Sequence, residues 1–364
     1  MKAKVIPALV LAFGIALWAN AQSKFIAANA KELTYQGRIT YKGDHSVLSW
    51  TGNSVQISFK GTGIGAVLKD EGGLNYLKVI LDGKPLPDIH PDSTKHGYQL
   101  ASQLSDDNHT LQLFKRTEFV HGDTWLYGFE LPANAVVNKA PKAPKRAIEF
   151  YGNSITCGYG TLDTSGKDRG TPEFEDGYLS YAALTSRYFN ARYSCIARSG
   201  IGIMVSWFPQ IMPELYDRQD PSDSLSKWDF SKYKPQVVVV NLMQNDSWIT
   251  KLPDNAQYKA RFTDVYPDPA YIINAYTTFI RNIRSKYPKA TIVCMLGNMD
   301  ISKPGSDWRG YVAIAVKQLH DKKILSFIVN YKNTPGHPKV AEQADMAKQL
   351  EAFIEQHTGW EAEN

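Results

Sequence analysis

Ser154 sits in Gly152-Asn153-Ser154-Ile155-Thr156-Cys157-Gly158, directly after the apolar run Ala147-Ile148-Glu149-Phe150-Tyr151. A buried strand that breaks at a Gly-Asn-Ser turn and enters a helix puts one hydroxyl on an exposed corner. There the serine can also turn its backbone N–H toward a developing oxyanion, near a helix N-terminus that favours negative charge. That setting suits a nucleophilic serine; it equally suits a serine that only caps the helix. Three later segments carry groups that would separate the two. Arg198-Ser199-Gly200-Ile201-Gly202 is a glycine-rich turn, Met243-Gln244-Asn245-Asp246 brings an amide, and Asn333-Thr334-Pro335-Gly336-His337-Pro338 brings an imidazole. A hydroxyl, a base and oxyanion donors are the parts of an acyl-transfer site. Each part alone has an ordinary reading: Gly200 and Gly202 relieve a tight turn, Asn245 caps a turn, and His337 merely opens a helix. Their arrival at consecutive strand ends favours the chemistry.

The strands in question are read from short apolar runs. Ala147–Tyr151, Ala191–Ala197, Gln236–Leu242, Ala290–Leu296 and Leu325–Val329 alternate with helical stretches at Tyr178–Phe189, Ala270–Tyr287, Trp308–His320 and Val340–His357. Strands separated by helices predict a parallel sheet with right-handed crossovers. Gln236–Leu242 is apolar enough to be buried on both faces. In such sheets ligands gather at the carboxyl ends of the strands, where all four segments fall.

From Phe25 to Pro132 the pattern is different. Val55–Phe59 alternates cleanly, Tyr76–Leu81 runs into the hairpin pair Asp82-Gly83, and Thr110–Lys115 and Leu126–Leu131 follow, with no useful helical periodicity. This predicts an all-β sandwich of jelly-roll type over residues 22–139. Residues 140–146, Pro-rich and basic, read as a stiff linker, and 147–364 as the α/β domain. Residues 1–21 read as an export leader: Lys2 and Lys4, an apolar run from Val5 to Trp18, then Ala19-Asn20-Ala21. No later segment is long and apolar enough to span a bilayer, so an exported protein, periplasmic or secreted, is expected.

The formal charge of +5 drops to +3 once Lys2 and Lys4 leave with the leader. No basic stripe interleaved with aromatics is present, which argues against nucleic acid as a partner. Cys157, Cys195 and Cys294 show no zinc-type spacing, and their odd number leaves at least one free thiol, so no disulfide framework is expected. Trp207 and Trp248, close after the second and third segments, are candidates for stacking on a sugar ring; packing in the core is the competing role.

The four segments resemble those of the SGNH (GDSL-type) hydrolase superfamily, and a sandwich followed by such a domain resembles carbohydrate esterase family two. Gln36-Gly37-Arg38, Phe59-Lys60-Gly61-Thr62-Gly63 and Lys115-Arg116-Thr117-Glu118 look like that family's sandwich; Gly152–Gly160 and Gly336-His337-Pro338 look like its catalytic domain. The resemblance implies a three-layer α/β domain with a five-stranded parallel sheet. It implies Ser154 as nucleophile, His337 as base, and an oxyanion hole of the Ser154 and Gly200 N–H groups with the Asn245 side chain. It implies removal of acetyl groups from xylan- or glucomannan-type polysaccharides. The expected chemistry needs no metal or cofactor, and a monomer is expected. Asn153 stands where the superfamily block has Asp, and Met243 where it has Gly. Many relatives carry an Asp two or three residues before the histidine, where this chain has Pro335 and Thr334. With no carboxylate nearby in sequence, the chain resembles family members that work with a Ser–His dyad, and that resemblance implies an imidazole held by a backbone carbonyl. Two other readings stay open: a lipase- or thioesterase-like hydrolase, which would want a long apolar channel, and a glycan-binding protein with a silent esterase domain. The loop Thr161–Asp176 is read as a cleft wall or an idle surface segment.

Overall fold

A computed structural model describes residues 23–263 and 265–363; the leader read at 1–21 lies outside them. Two six-stranded antiparallel sheets form the N-terminal part. One orders Thr40–Lys42, His45–Leu48, Thr124–Leu131, Ile64–Asp70 and His96–Ala101, with Lys24–Ala27 also on Thr124–Leu131. The other orders Val136–Val137, Ser54–Gly61, Asp107–Lys115, Leu77–Leu81 and Lys84–Pro85, with Leu33–Gln36 also on Ser54–Gly61. Alternation drives the packing. Val55, Ile57 and Phe59 from one sheet meet Leu68, Leu126 and Phe129 from the other in a closed apolar core. The hairpin expected at Asp82-Gly83 forms, with both residues at positive φ, 49° and 76°, as a tight two-residue turn between twisted strands requires.

The C-terminal part is a five-stranded parallel sheet in the order Ala191–Ala197, Arg146–Gly152, Val237–Asn241, Thr291–Leu296, Ile324–Ile328. Its β-branched central strand is buried along its whole length. Helices Pro269–Lys286 and Trp308–Gln318 cover one face, packing on Tyr151, Val238, Val240 and Ile292. Helices Tyr181–Tyr188 and Val340–Thr358 cover the other, on Phe150, Val239, Val293 and Met295. The three-layer arrangement follows from strands that are apolar on both sides.

Register decides where the chemistry gathers. Gly152 pairs with Ala197 on one side and with Asn241 on the other. The three strands thus end level, and Ser154, Gly200 and Asn245 follow those ends by two, three and four residues.

The two parts dock through polar groups. Arg38 of the sandwich, fully buried, reaches Glu149 at 3.3 Å and donates to the carbonyls of Tyr216 at 2.8 Å and Arg218 at 2.6 Å. Trp50 Nε1 donates to Gln219 O at 2.8 Å. Arg116 donates to the carbonyls of Pro172 and Glu173 at 3.1 and 2.9 Å.

Candidate active site

The corner after Arg146–Gly152 opens a one-turn helix, Ser154–Cys157. Asn153 is its N-cap, its side chain accepting the Ile155 N–H at 3.1 Å. The capping role weighed for Ser154 therefore belongs to Asn153, and the serine hydroxyl is left for other partners. Gly152 is held to glycine by crowding: a Cβ there would fall 2.0 Å from Thr156 Oγ1.

Ser154, 7% exposed, meets His337 directly. His337 Nε2 lies 2.8 Å from Ser154 Oγ, and His337 Nδ1 lies 2.8 Å from Asp168 Oδ2. The expected dyad is thereby corrected: the imidazole does have a carboxylate, and it comes from the Thr161–Asp176 loop, not from the residues beside the histidine. Asp168 also accepts the His337 backbone N–H at 2.8 Å and the Lys339 ammonium at 3.2 Å. Lys339 bridges on to Gly160 O at 2.9 Å. Partial burial alone would raise the Asp168 carboxyl; the His337 and Lys339 bonds outweigh it and hold the group well below the usual carboxylate range. An ionised Asp168 only accepts, so Nδ1 carries the ring proton and Nε2 is free to accept from Ser154.

Local folding explains how a surface loop delivers that carboxylate. Asp163, its side chain buried, accepts the Ser165 N–H at 3.0 Å, the Arg169 N–H at 2.7 Å and the Arg169 guanidinium at 2.8 Å. This closes the loop and throws Asp168 outward at φ 56°. Gly336, at φ 69°, leaves the space: a Cβ there would come within 2.7 Å of the Asp168 carboxyl. Tyr159 packs on the imidazole with ring centroids 4.5 Å apart. Behind the site, Gln343 donates to Ile155 O at 3.0 Å and accepts from Tyr181 N at 2.8 Å. The helix that follows His337 is thus tied to the helix that Ser154 begins.

The expected oxyanion donors lie just beyond level strand ends. Asn245 Nδ2 donates to Ile201 O at 2.8 Å, and Asn245 Oδ1 accepts from Trp207 Nε1 at 3.1 Å. These two bonds fix which way the amide faces and leave one Nδ2 hydrogen uncommitted. Gly200 is at φ 82°, and Arg198 N donates to Gly152 O at 3.4 Å, joining this turn to the serine corner. Among the described residues, neither the Ser154 nor the Gly200 N–H has an intrachain acceptor. Asp246, buried, receives the N–H groups of Ile203, Met204 and Val205; burial pushes its carboxyl up to about 6 in spite of them.

Residues 35–141 match the Carbohydrate esterase 2 N-terminal family, and residues 150–357 match the GDSL-like Lipase/Acylhydrolase family. The chain is 35% identical over 341 residues to the Cellulase/esterase CelE of Acetivibrio thermocellus, covering 90% of this chain and 40% of that protein. It is 25% identical over 346 residues to an acetylxylan esterase / glucomannan deacetylase of Cellvibrio japonicus, covering 92% and 91%. A solved family two carbohydrate esterase from Clostridium thermocellum, in complex with cellohexaose, superimposes with a TM-score of 0.80 at 35% identity, over 90% of this chain and 99% of that one. The chain belongs to carbohydrate esterase family two.

As a carbohydrate esterase, and so a carboxylic ester hydrolase, it has an open cleft beside the histidine. A depression of ≈ 440 Å³ is lined by Asp168, Trp248, Asp300, Tyr331, Asn333 and His337. Trp248 forms part of its wall, with Nε1 donating to Asp300 Oδ2 at 3.2 Å. Trp207, 45% exposed, stands over the Gly200 turn with its indole N–H spent on Asn245. A larger cavity of ≈ 770 Å³ lies at the opposite, amino ends of the strands, around Gln236, Val237, Ala290 and Thr291, far along the sheet from Ser154. Asp168 is the site residue that the sequence does not announce. Its nearest signals are Gly336 and the Asp163/Arg169 pair, neither legible without the fold.

Proposed function

We propose that the protein is an exported carbohydrate O-acetyl esterase that removes acetyl groups from plant polysaccharides of the xylan or glucomannan type. The observation that carries this reading is the continuous hydrogen-bonded line Ser154–His337–Asp168 at 2.8 Å per link. His337 Nε2 takes the Ser154 proton as the hydroxyl oxygen attacks the acetyl carbonyl. The tetrahedral oxyanion is received by the Ser154 and Gly200 N–H groups and by Asn245. The C–O bond to the sugar breaks, and the imidazolium returns its proton to the departing sugar oxygen. A water then attacks the acetyl-enzyme, giving its proton to His337; collapse frees acetate and restores Ser154. Asp168 stabilises the imidazolium and keeps the Nδ1–H tautomer, so the reaction runs on a triad.

The open, polar-lined cleft with Trp248 on its wall suits a sugar chain carrying a small acyl group better than a long apolar acyl chain. The naming of a Cellvibrio japonicus relative as an acetylxylan esterase / glucomannan deacetylase supports the substrate class. Export rests on the leader at residues 1–21; among the described residues no helix is long and apolar enough to cross a membrane. Acetate release from acetylated xylan and acetylated glucomannan, wild type beside Ser154→Ala, tests the reading. Release by the wild type alone is expected. Release from neither glycan, with turnover of long-chain esters instead, would overturn it.

A further inference from the structure

The turn that carries Gly200 is held from outside its own domain. Glu118 belongs to the sandwich, three residues past strand Asp107–Lys115, and is 1% exposed. Its Oε2 accepts the Ser199 N–H at 2.7 Å and lies 3.7 Å from the Cys157 thiol. Ser199 immediately precedes Gly200; Cys157 ends the helix that Ser154 begins. One carboxylate oxygen thus touches both halves of the oxyanion site. Glu118 is anchored in turn: its backbone N–H donates to Glu175 Oε1, and its carbonyl accepts from Lys115 Nζ at 3.1 Å. On the far side of the same turn, Asp246 holds residues 203–205. The segment from Ser199 to Val205 is therefore gripped at both ends by buried carboxylates, one from each domain.

We propose that Glu118 is a positioning residue for ester hydrolysis: by fixing Ser199 it aims the Gly200 N–H at the oxyanion, which makes the sandwich a working part of the active site. The inference rests on the esterase reading above. Gly200 sits in the left-handed region at φ 82°, where a glycine has wide freedom and its peptide plane needs outside support. An oxyanion donor is worth about 10²- to 10³-fold in rate when deleted, so one that is only misaimed should lose less.

The test measures kcat and KM on an aryl acetate, with thermal unfolding, for wild type, Ser154→Ala and three substitutions of Glu118. Glu118→Ala should lower kcat by about 10- to 100-fold with KM changed less than about twofold. Glu118→Gln, which keeps an oxygen acceptor for Ser199, should recover kcat to within about threefold of wild type. Glu118→Asp, whose carboxylate is withdrawn by one methylene, should show the alanine signature at about 3- to 10-fold, and it decides the matter if Glu118→Ala does not fold. Wild-type kcat in folded Glu118→Ala or in Glu118→Asp overturns the proposal, as does a Glu118→Gln loss equal to that of alanine. An inactive wild type would instead sink the esterase reading, so the two failures are distinguishable.

Discussion

At the residue scale, the Ser154 hydroxyl and the Asp168 carboxylate lie close in sequence, and the His337 imidazole joins them from far along the chain within hydrogen-bond distance of both. Asp168 is 169 positions from His337, so nothing in the Thr334-Pro335-Gly336-His337 stretch could reveal it. What that stretch did carry was Gly336, whose missing side chain makes room for the acid. If Asp168 works as described, Asp168→Ala should lower kcat for acetate release by roughly 10²- to 10⁴-fold; a dyad would lose almost nothing. Trp207 gives a second discriminating measurement. Its indole bond to Asn245 Oδ1 is worth about 1 kcal/mol, a factor of about five. Trp207→Phe should therefore lower kcat by about fivefold at constant KM. A rise in KM with kcat unchanged would mark the ring as a sugar platform instead.

At the scale of elements, the β/α alternation was legible because its strands are apolar runs and its helices periodic. All five expected parallel strands form within one residue of their expected ends. In the sandwich several strands are not legible in the sequence, among them Ile64–Asp70 and His96–Ala101: the former interrupts its pattern with Gly65 and Lys69, and the latter is half polar. The helix expected at Tyr178–Phe189 begins three residues later, at Tyr181. Tyr188 is exposed and bonds Glu355, while the small residues Ala182 and Ser186 face inward, where helix Val340–Thr358 approaches closely. Met243 occupies a left-handed position at φ 76° ahead of helix Gln244–Ile249, which accounts for the glycine that the superfamily block has there. The Thr161–Asp176 loop has no periodicity at all, and its order comes from Asp163. Gly336→Ala tests the loop's docking. The added methyl should displace Asp168 and reduce kcat by at least about tenfold, alongside about 1–2 kcal/mol lost from backbone strain, read by turnover and urea unfolding of the same preparation.

At the scale of the whole molecule, the two domains are joined by buried charge as much as by apolar contact. The sandwich motifs quoted for the family contribute Arg38, Arg116 and Glu118, all of which face the hydrolase domain. Sequence displayed these residues as a pattern; only the docked domains show their partners. Glu175 lies in this interface, accepting from Glu118 N and facing His121 Nε2 at 3.0 Å. Burial pushes Glu175 up to about 8 and Glu118 up to about 7, and lowers His121, so the Glu175–His121 pair favours its neutral form. A carboxyl raised in the folded state binds its proton more tightly there than in the unfolded chain, where it titrates near 4.3. Its contribution is present in full below that value and is lost as pH rises toward 8, at up to roughly 1 kcal/mol per pH unit per group. Wild-type stability in urea should therefore fall between pH 5 and 8 more steeply than that of Glu175→Gln, whose side chain does not titrate. Parallel curves for the two proteins would contradict the account.

The central claim, acyl transfer through Ser154, is tested most directly by trapping the intermediate. The enzyme is mixed with an aryl acetate, quenched in acid within a turnover, digested and mapped by mass. The account predicts a single acetyl group on the peptide that carries Ser154, absent from Ser154→Ala. An acetyl group on another residue, or undiminished acetate release by Ser154→Ala, would contradict it.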